Sequence, residues 1–430
     1  MTSAIIAIGI LYFIGHVLTH FFDKAKVPDV LILIIFGILV GPVFGLVNPE
    51  MIGVAGQLFT SIALIVILFE GGLGLSLTNL VSSAKQATVL TTSFFGITTL
   101  IVFVIMKYGF DFSSMASLLT GFICAGTSSA VVIPMVNALK VGKEATTVLI
   151  LESALTDVLC IVFTIGVLQS IKSGNFEIGK IIGSLISSLV LASVIGIAGG
   201  VFWLRVIDKI RKNENTQFAT FFFMFLLYGL AEMLDFSGAI ASLAFGIVLG
   251  NNYLVGHSMG KITGNVVSVG AVSEVEKMLY REIVFLTKIF FFTYLGISIP
   301  FTNVEFIMIA LSIVAVVYIA RPMATKFLVN RGVNAFDKTI ISVMVPKGLA
   351  AAVLAGLPGQ YEMVEAPSIQ AVTYNIILFS IVLTSILIPL IEKTPVGNMF
   401  KAFMNTGVSK RSSEPLEIEE SNELPENKAD

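Results

Sequence analysis

The chain has 430 residues, of which 56% are hydrophobic and only 13% charged, with a formal net charge of −2, and its mean hydropathy is +0.95. A soluble domain usually carries about twice that charged fraction, so an ordinary water-soluble fold is excluded, and no basic surface or recognition motif for nucleic acid is present. Cys124 and Cys160 both lie in apolar runs and imply no disulfide framework.

A bilayer core about 30 Å thick takes roughly 20 mostly apolar residues to cross as a helix. Read with that ruler, the chain is predicted to be an all-α polytopic membrane protein with about thirteen spans. They fall near residues 3–22, 27–47, 55–75, 87–107, 115–139, 145–170, 178–203, 216–234, 237–252, 281–299, 303–328, 336–358 and 368–391. Residues 1–400 thus form one transmembrane domain. The first span has neither a basic leader nor a small-residue cleavage site, which reads as a retained helix. Basic residues then fix the orientation. Lys24, Lys26, Lys85, Lys140, Lys143, Arg205, Lys209, Arg211, Lys212, Lys261, Lys277, Arg281, Lys326, Arg331 and Lys338 fall in loops on one side, against Lys107, Lys172 and Lys180 on the other. The positive-inside rule makes the rich side cytoplasmic, with the N-terminus outside and the C-terminus inside. The expected location is a prokaryotic plasma membrane. From 408 to 430 six glutamates stand among Ser, Pro and Asn, which predicts a disordered acidic cytoplasmic tail.

Two spans carry internal breaks. The fifth contains Gly126, the Thr127–Ser128–Ser129 run and Pro134, which predicts unwinding just before the proline. The twelfth contains Val345–Pro346–Lys347–Gly348. Unwound backbone at membrane depth survives only inside protein or along a water-filled cavity. Two such breaks at matching places point to a midplane site in an inverted-repeat transporter, with spans one to six and eight to thirteen as the repeats.

Ionisable residues inside a bilayer cost about 2.5–3.5 kcal/mol each on insertion scales, so those that remain are informative. The sixth span reads Glu152-Ser153-Ala154-Leu155-Thr156-Asp157. Ser153 and Asp157 are four apart and share a helix face. A carboxylate, a hydroxyl and free carbonyls from the Thr127 break suit a hard alkali cation such as Na⁺. A buried carboxylate must be neutralised by a proton or by a cation, and cannot hold both. Glu152 lies about 140° around the helix from Asp157, and pairing with Lys347 or Arg321 is expected. Glu70, near the cytoplasmic end of its span, reads either as an entrance residue or as a helix-end group. Lys288 either snorkels or pairs with a carboxylate, while Glu232 and Asp235 are placed near the opposite surface in water.

These residues resemble the monovalent cation:proton antiporter superfamily, and more closely its sodium–proton exchanger (NhaP-like) branch, over residues 5 to 395. Val27-Pro28-Asp29 through Gly41-Pro42, Phe69-Glu70-Gly71-Gly72-Leu73, Phe290 to Gly296, Arg321-Pro322 and Pro346-Lys347-Gly348-Leu349 carry the likeness piecewise. The strongest piece, Glu152 to Asp157, is similar to the Glu-Ser-x-x-Asn-Asp motif of the electroneutral branch. The resemblance implies that Asp157 binds cation and proton and that Ser153 is a ligand. Thr127, Thr156 and Ser128 complete the site, and Glu152 pairs with a basic residue. It further implies crossed broken helices, a core domain moving against a dimerisation domain, and a homodimer. Three departures matter. Thr156 stands where the branch has Asn, Ser128 where it often has Asp, and Lys347 where Arg is usual. With one carboxylate at the site, electroneutral exchange of Na⁺ (or Li⁺) for H⁺ by alternating access is the expectation; a Lys347 that released its proton would make it electrogenic. A K⁺/H⁺ antiporter of the same fold stays open, as does, from another class, a sodium-coupled organic-anion symporter. No nucleophile–base pair, phosphate loop or metal motif is visible, so neither an enzyme nor a cofactor is expected, and nothing resembles a channel filter.

Overall fold

A computed structural model describes residues 9, 12–17, 28–74, 77–139, 141–173, 178–212, 216–234, 236–253, 272–301, 303–329 and 333–405. Among them every regular element is helical. Helix α1 (Asp29–Ile38) widens into a π turn over Leu39–Val43, where Pro42 has no N–H to give the regular ladder. Next come α2 (Pro49–Gly74), α3 (Leu77–Val104), α4 (Ser114–Cys124), α5 (Ser129–Ala138), α6 (Lys143–Ser173) and α7 (Ile178–Ile210). The second half holds α8 (Ala219–Met233), α9 (Gly238–Gly250), α10 (Glu274–Ser298), α11 (Val304–Leu328), α12 (Ala335–Val343) and α13 (Leu349–Leu354). A single turn at Leu357–Gln360 leads to α14 (Ala366–Lys393) and α15 (Val396–Asn405). Six described stretches are long and apolar enough to cross a bilayer, and shorter apolar helices such as α8 and α9 pack among them. The protein is a multi-pass membrane protein. Most of the first expected span, and all of the expected 408–430 tail, lie outside the described residues.

The fifth span divides at Ala125–Ser128, within the expected Gly126–Ser129 stretch, while Pro134 lies inside α5. Glycine and adjacent hydroxyls, which compete for the backbone, open the ladder there. The twelfth span divides at Met344–Gly348, as its sequence suggested. Helices α7 and α10 overrun their expected spans, so Arg205, Lys209, Lys277 and Arg281 are helical, not in loops. In α10 the cause is a capping box: Ser273 and Glu276 each bond the other's backbone N–H. Lys338, also expected in a loop, is 5% exposed within α12. Asn334 caps that helix, and α6, α11, α14 and α15 enclose it.

Buried side chains form two clusters. The larger draws on α3–α6 and α11–α14, joined by α1 and the second half of α10. The smaller is built from Val66 and Phe69 of α2, Trp203 of α7, Phe221 of α8, Phe245 of α9 and Tyr280 of α10. Without a hydrophobic drive between helices in lipid, close backbone approach decides such packing. Helices α2 and α9 meet at Gly72 and Gly246, where a Cβ on either would strike the other's backbone. Deep in the larger cluster, Arg321 of α11 grips Glu152 of α6 through two hydrogen bonds of 2.5 and 2.8 Å. It also donates to Ile341 O of α12 and lies 3.7 Å from the centre of the Phe94 ring.

Two stability predictions follow from these contacts. Gly246→Leu should cost about 1–3 kcal/mol through overpacking, read as a lower unfolding midpoint in detergent, whereas the same change at open-faced Gly96 should be near neutral. Arg321→Ala strands a buried carboxylate and should cost about 3–5 kcal/mol in the same measurement.

Candidate functional site at the two helix breaks

The two broken stretches meet. Ser128 N–H donates to Pro346 O at 2.7 Å, so a donor left over by the first break is satisfied by an acceptor of the second. Thr127 N–H donates to Thr156 Oγ1 of α6 at 3.1 Å, and Lys347 N–H to Ser380 Oγ of α14 at 2.9 Å. Each bond replaces a ladder partner that membrane depth cannot supply as water. The fit is tight: a Cβ on Gly348 would run into Ser128, and one on Gly126 would come within 2.9 Å of Cys160 Sγ.

Helix α6 supports the first break from below with one face. Ser153 Oγ donates to Thr127 O at 3.3 Å. Thr156 Oγ1 donates to Ser153 O at 3.0 Å and lies 3.4 Å from Thr127 Oγ1. One turn from Ser153, Asp157 is half-buried, and its Oδ2 accepts from Ser129 Oγ at 2.8 Å. Asp157, Ser153, Thr156, Thr127 and Ser128 therefore converge around the break. Ser129 joins them although the sequence reading used it only as part of a helix-weakening run. Helical phase shows which residues of α6 share a face, but not which residue of another helix meets that face.

The expected charge partner of Glu152 divides in two. Arg321 takes the carboxylate outright, and Lys347 is left out. Arg321 reaches both oxygens with a planar fork, as a lysine cannot. Lys347 is 3% exposed and its Nζ makes no hydrogen bond to any described residue. Its surroundings are the thiols of Cys124 and Cys160 and the Glu152–Arg321 pair.

Asp157 and Ser129 line two cavities. One, of about 20 Å³, is bounded by Ser128, Ser129, Asp157 and Leu349; roughly 10–15 Å³ suffices for one water-sized occupant. Ser128 Oγ, buried at its edge, has no hydrogen-bond partner among the described residues. The second cavity, about 660 Å³, runs between the two clusters from Asp157 and Ser129 to Lys277 and Arg281 of α10. Glu70 lies on its wall, 3.9 Å from Lys288, so Lys288 pairs with a carboxylate as the second of its expected alternatives. Glu232, expected in water, is exposed but accepts Gly238 N–H at 2.8 Å at the start of α9. Asp235 lies outside the described residues. The sequence reading also missed Glu276, 4% exposed and gripped by Arg211.

The family model described as the transmembrane sodium/hydrogen exchanger matches residues 9–395. A relative named Na(+)/H(+) antiporter 1 from Methanocaldococcus jannaschii is 25% identical over 371 residues, covering 83% of each chain. One named K(+)/H(+) antiporter NhaP, from Alkalimonas amylolytica, is 23% identical over 442 residues, 98% of this chain and 71% of the relative. The solved sodium proton antiporter MjNhaP1 from Methanocaldococcus jannaschii at pH 8 superposes with a TM-score of 0.73 at 22% identity, covering 89% of this chain and 99% of that one, a likeness of fold. A family match that spans all but the ends, on this helical architecture, identifies the kinship: the chain belongs to the sodium/hydrogen exchanger family.

Proposed function

We propose that this cation/proton antiporter carries Na⁺ against H⁺ at Asp157, one for one. The observation that supports it most directly is a single carboxylate at the junction of two broken helices, beside a one-occupant cavity with an unpartnered hydroxyl on its edge. Asp157 holds either the proton or the cation. Ser128 Oγ and Ser129 Oγ supply further oxygens at that cavity, and Ser153 and Thr156 hold the Thr127 segment in place. Among the residues bounding the small cavity Asp157 is the only carboxylate, so exchange there moves no net charge. Glu152 and Arg321 neutralise each other as a structural pair, and Lys347 compensates charge nearby. The organic-anion symporter reading is set aside by the family membership.

The larger cavity between the clusters supports alternating access, in which the cluster carrying both breaks moves against the one carrying α7–α9. The basic mouth at Lys277 and Arg281 supports a cytoplasmic opening, and with it an N-terminus outside and a C-terminus inside a prokaryotic plasma membrane. Residues 1–400 act as the transport domain and 408–430 as a solvated acidic tail. Exposed apolar side chains on α7 (Val190, Val194, Ile197) offer a surface to a second copy in a homodimer.

In vesicles holding an acid-inside pH gradient, Na⁺ and Li⁺ should collapse the gradient with wild-type protein, and Asp157→Asn should lower the rate at least a hundredfold. Clamping the membrane potential should leave the wild-type rate unchanged; a potential-dependent rate would overturn one-for-one exchange. A response to K⁺ alone would transfer the site to potassium, the ion named for the relative matched over 98% of this chain. Full activity in Asp157→Asn would remove Asp157 from the mechanism.

A further inference from the structure

Between mouth and floor, the large cavity is lined by five described acidic or basic side chains: Glu70, Asp157, Lys277, Arg281 and Lys288. With all five charged, that wall carries a net charge of +1, two acids against three bases. The wall therefore offers an approaching cation no acidic funnel of the kind that steering would favour. Lys277, Arg281 and Lys288 stand at spacings of four and seven along α10, so one helix face presents all three. Lys277 is held outward by Glu274 at 2.8 Å. Glu70 is the only carboxylate on the described wall before Asp157 is reached, and it is taken up by Lys288.

That pair is loose. Its N–O separation is 3.9 Å, beyond hydrogen-bond range, and the side chains are 21% and 38% exposed for Lys288 and Glu70. An ion pair so wet adds little to stability. A bridge from α2 to α10 across the route to Asp157 does, however, have a consequence for any ion using that route.

We infer that Lys288 is a tethered competitor for the transported cation: its ammonium occupies Glu70, and an entering alkali ion must displace it to reach Asp157. The long lysine stem allows the ammonium to swing toward the mouth when displaced. No bond is made or broken. One positive charge replaces another at Glu70, so the cavity charge returns to its starting value once the ion has moved on. Lys288 is thus an affinity-setting residue, which makes low cation concentrations ineffective at the face onto which the cavity opens. The inference rests on the antiporter reading with Asp157 as carrier. Its test keeps the two apart, because wild-type exchange and the Asp157→Asn control report on that reading alone.

Exchange would be measured in oriented vesicles with Na⁺ added to each face in turn, for wild type, Lys288→Gln, Lys288→Met, Lys288→Arg, Glu70→Gln and the double variant Glu70→Gln with Lys288→Gln. Removing the ammonium should lower KM three- to tenfold at one face only, with kcat within about twofold, and Lys288→Arg should keep the wild-type KM. Glu70→Gln should raise KM, and adding Lys288→Gln to it should change KM no further, since the effects of two groups that act on each other are not additive. Two neutral replacements guard against one failing to fold, and monodispersity in detergent confirms those that do. An unchanged KM at both faces, a loss confined to kcat, or an undiminished Lys288→Gln effect without Glu70 would each overturn the inference and leave Lys288 a strut between α2 and α10.

Discussion

Backbone polar groups stripped of their helical partners at membrane depth must find others within the protein, and the rest of this architecture answers to that demand. The breaks at Ala125–Ser128 and Met344–Gly348 satisfy it by meeting: Ser128 N–H bonds Pro346 O, while Thr156 and Ser380 take the N–H groups of Thr127 and Lys347. Such an arrangement admits almost no bulk, which explains glycine at 126 and 348. It also fixes α6 and α14 against the breaks, and so decides where Asp157 stands.

The Glu152–Arg321 pair, Asp157 and Lys347 are accommodated in three different ways. Glu152 and Arg321 are enclosed and joined through both carboxylate oxygens, with Ile341 O and the Phe94 ring against the rest of the guanidinium. A pair so joined is a structural tie. Asp157 keeps one hydrogen bond, from a hydroxyl able to rotate away, and faces open space. Lys347 Nζ has none among the described residues, although its backbone N–H anchors the second break to Ser380. A carboxylate left partly unsatisfied next to a cavity is the group with capacity to take up an ion.

Helices α2 and α10 connect this arrangement to the outside of the protein. Both belong partly to each cluster, and the large cavity opens between them. Their partners approach closely at glycines, α2 against α9 and α1 against α10, whereas the 3.9 Å Glu70–Lys288 bridge between α2 and α10 on the cavity wall is a looser contact.

The sequence by itself determined the solvent, the element type and the weak points. Hydrophobic length exposes a membrane span because lipid offers no alternative partner for the backbone, and Gly126 and Val345–Gly348 stand out because a mid-span break must be compensated. Asp157 stands out for the same reason: a carboxylate at membrane depth is costly. The tertiary structure decided the partnerships. Periodicity put Ser153 and Asp157 on one face, but only the packing of α5 on α6 brought Ser129 to Asp157. Both Lys347 and Arg321 were admissible partners for Glu152, and only the placement of α11 chose the planar fork over the point charge. Lys338 and the basic turns of α7 and α10 read as loop residues, because a cap and an enclosing neighbour, not local hydropathy, made them helical. Local composition records what each residue must avoid, whereas the residue it meets depends on helices far away in the chain.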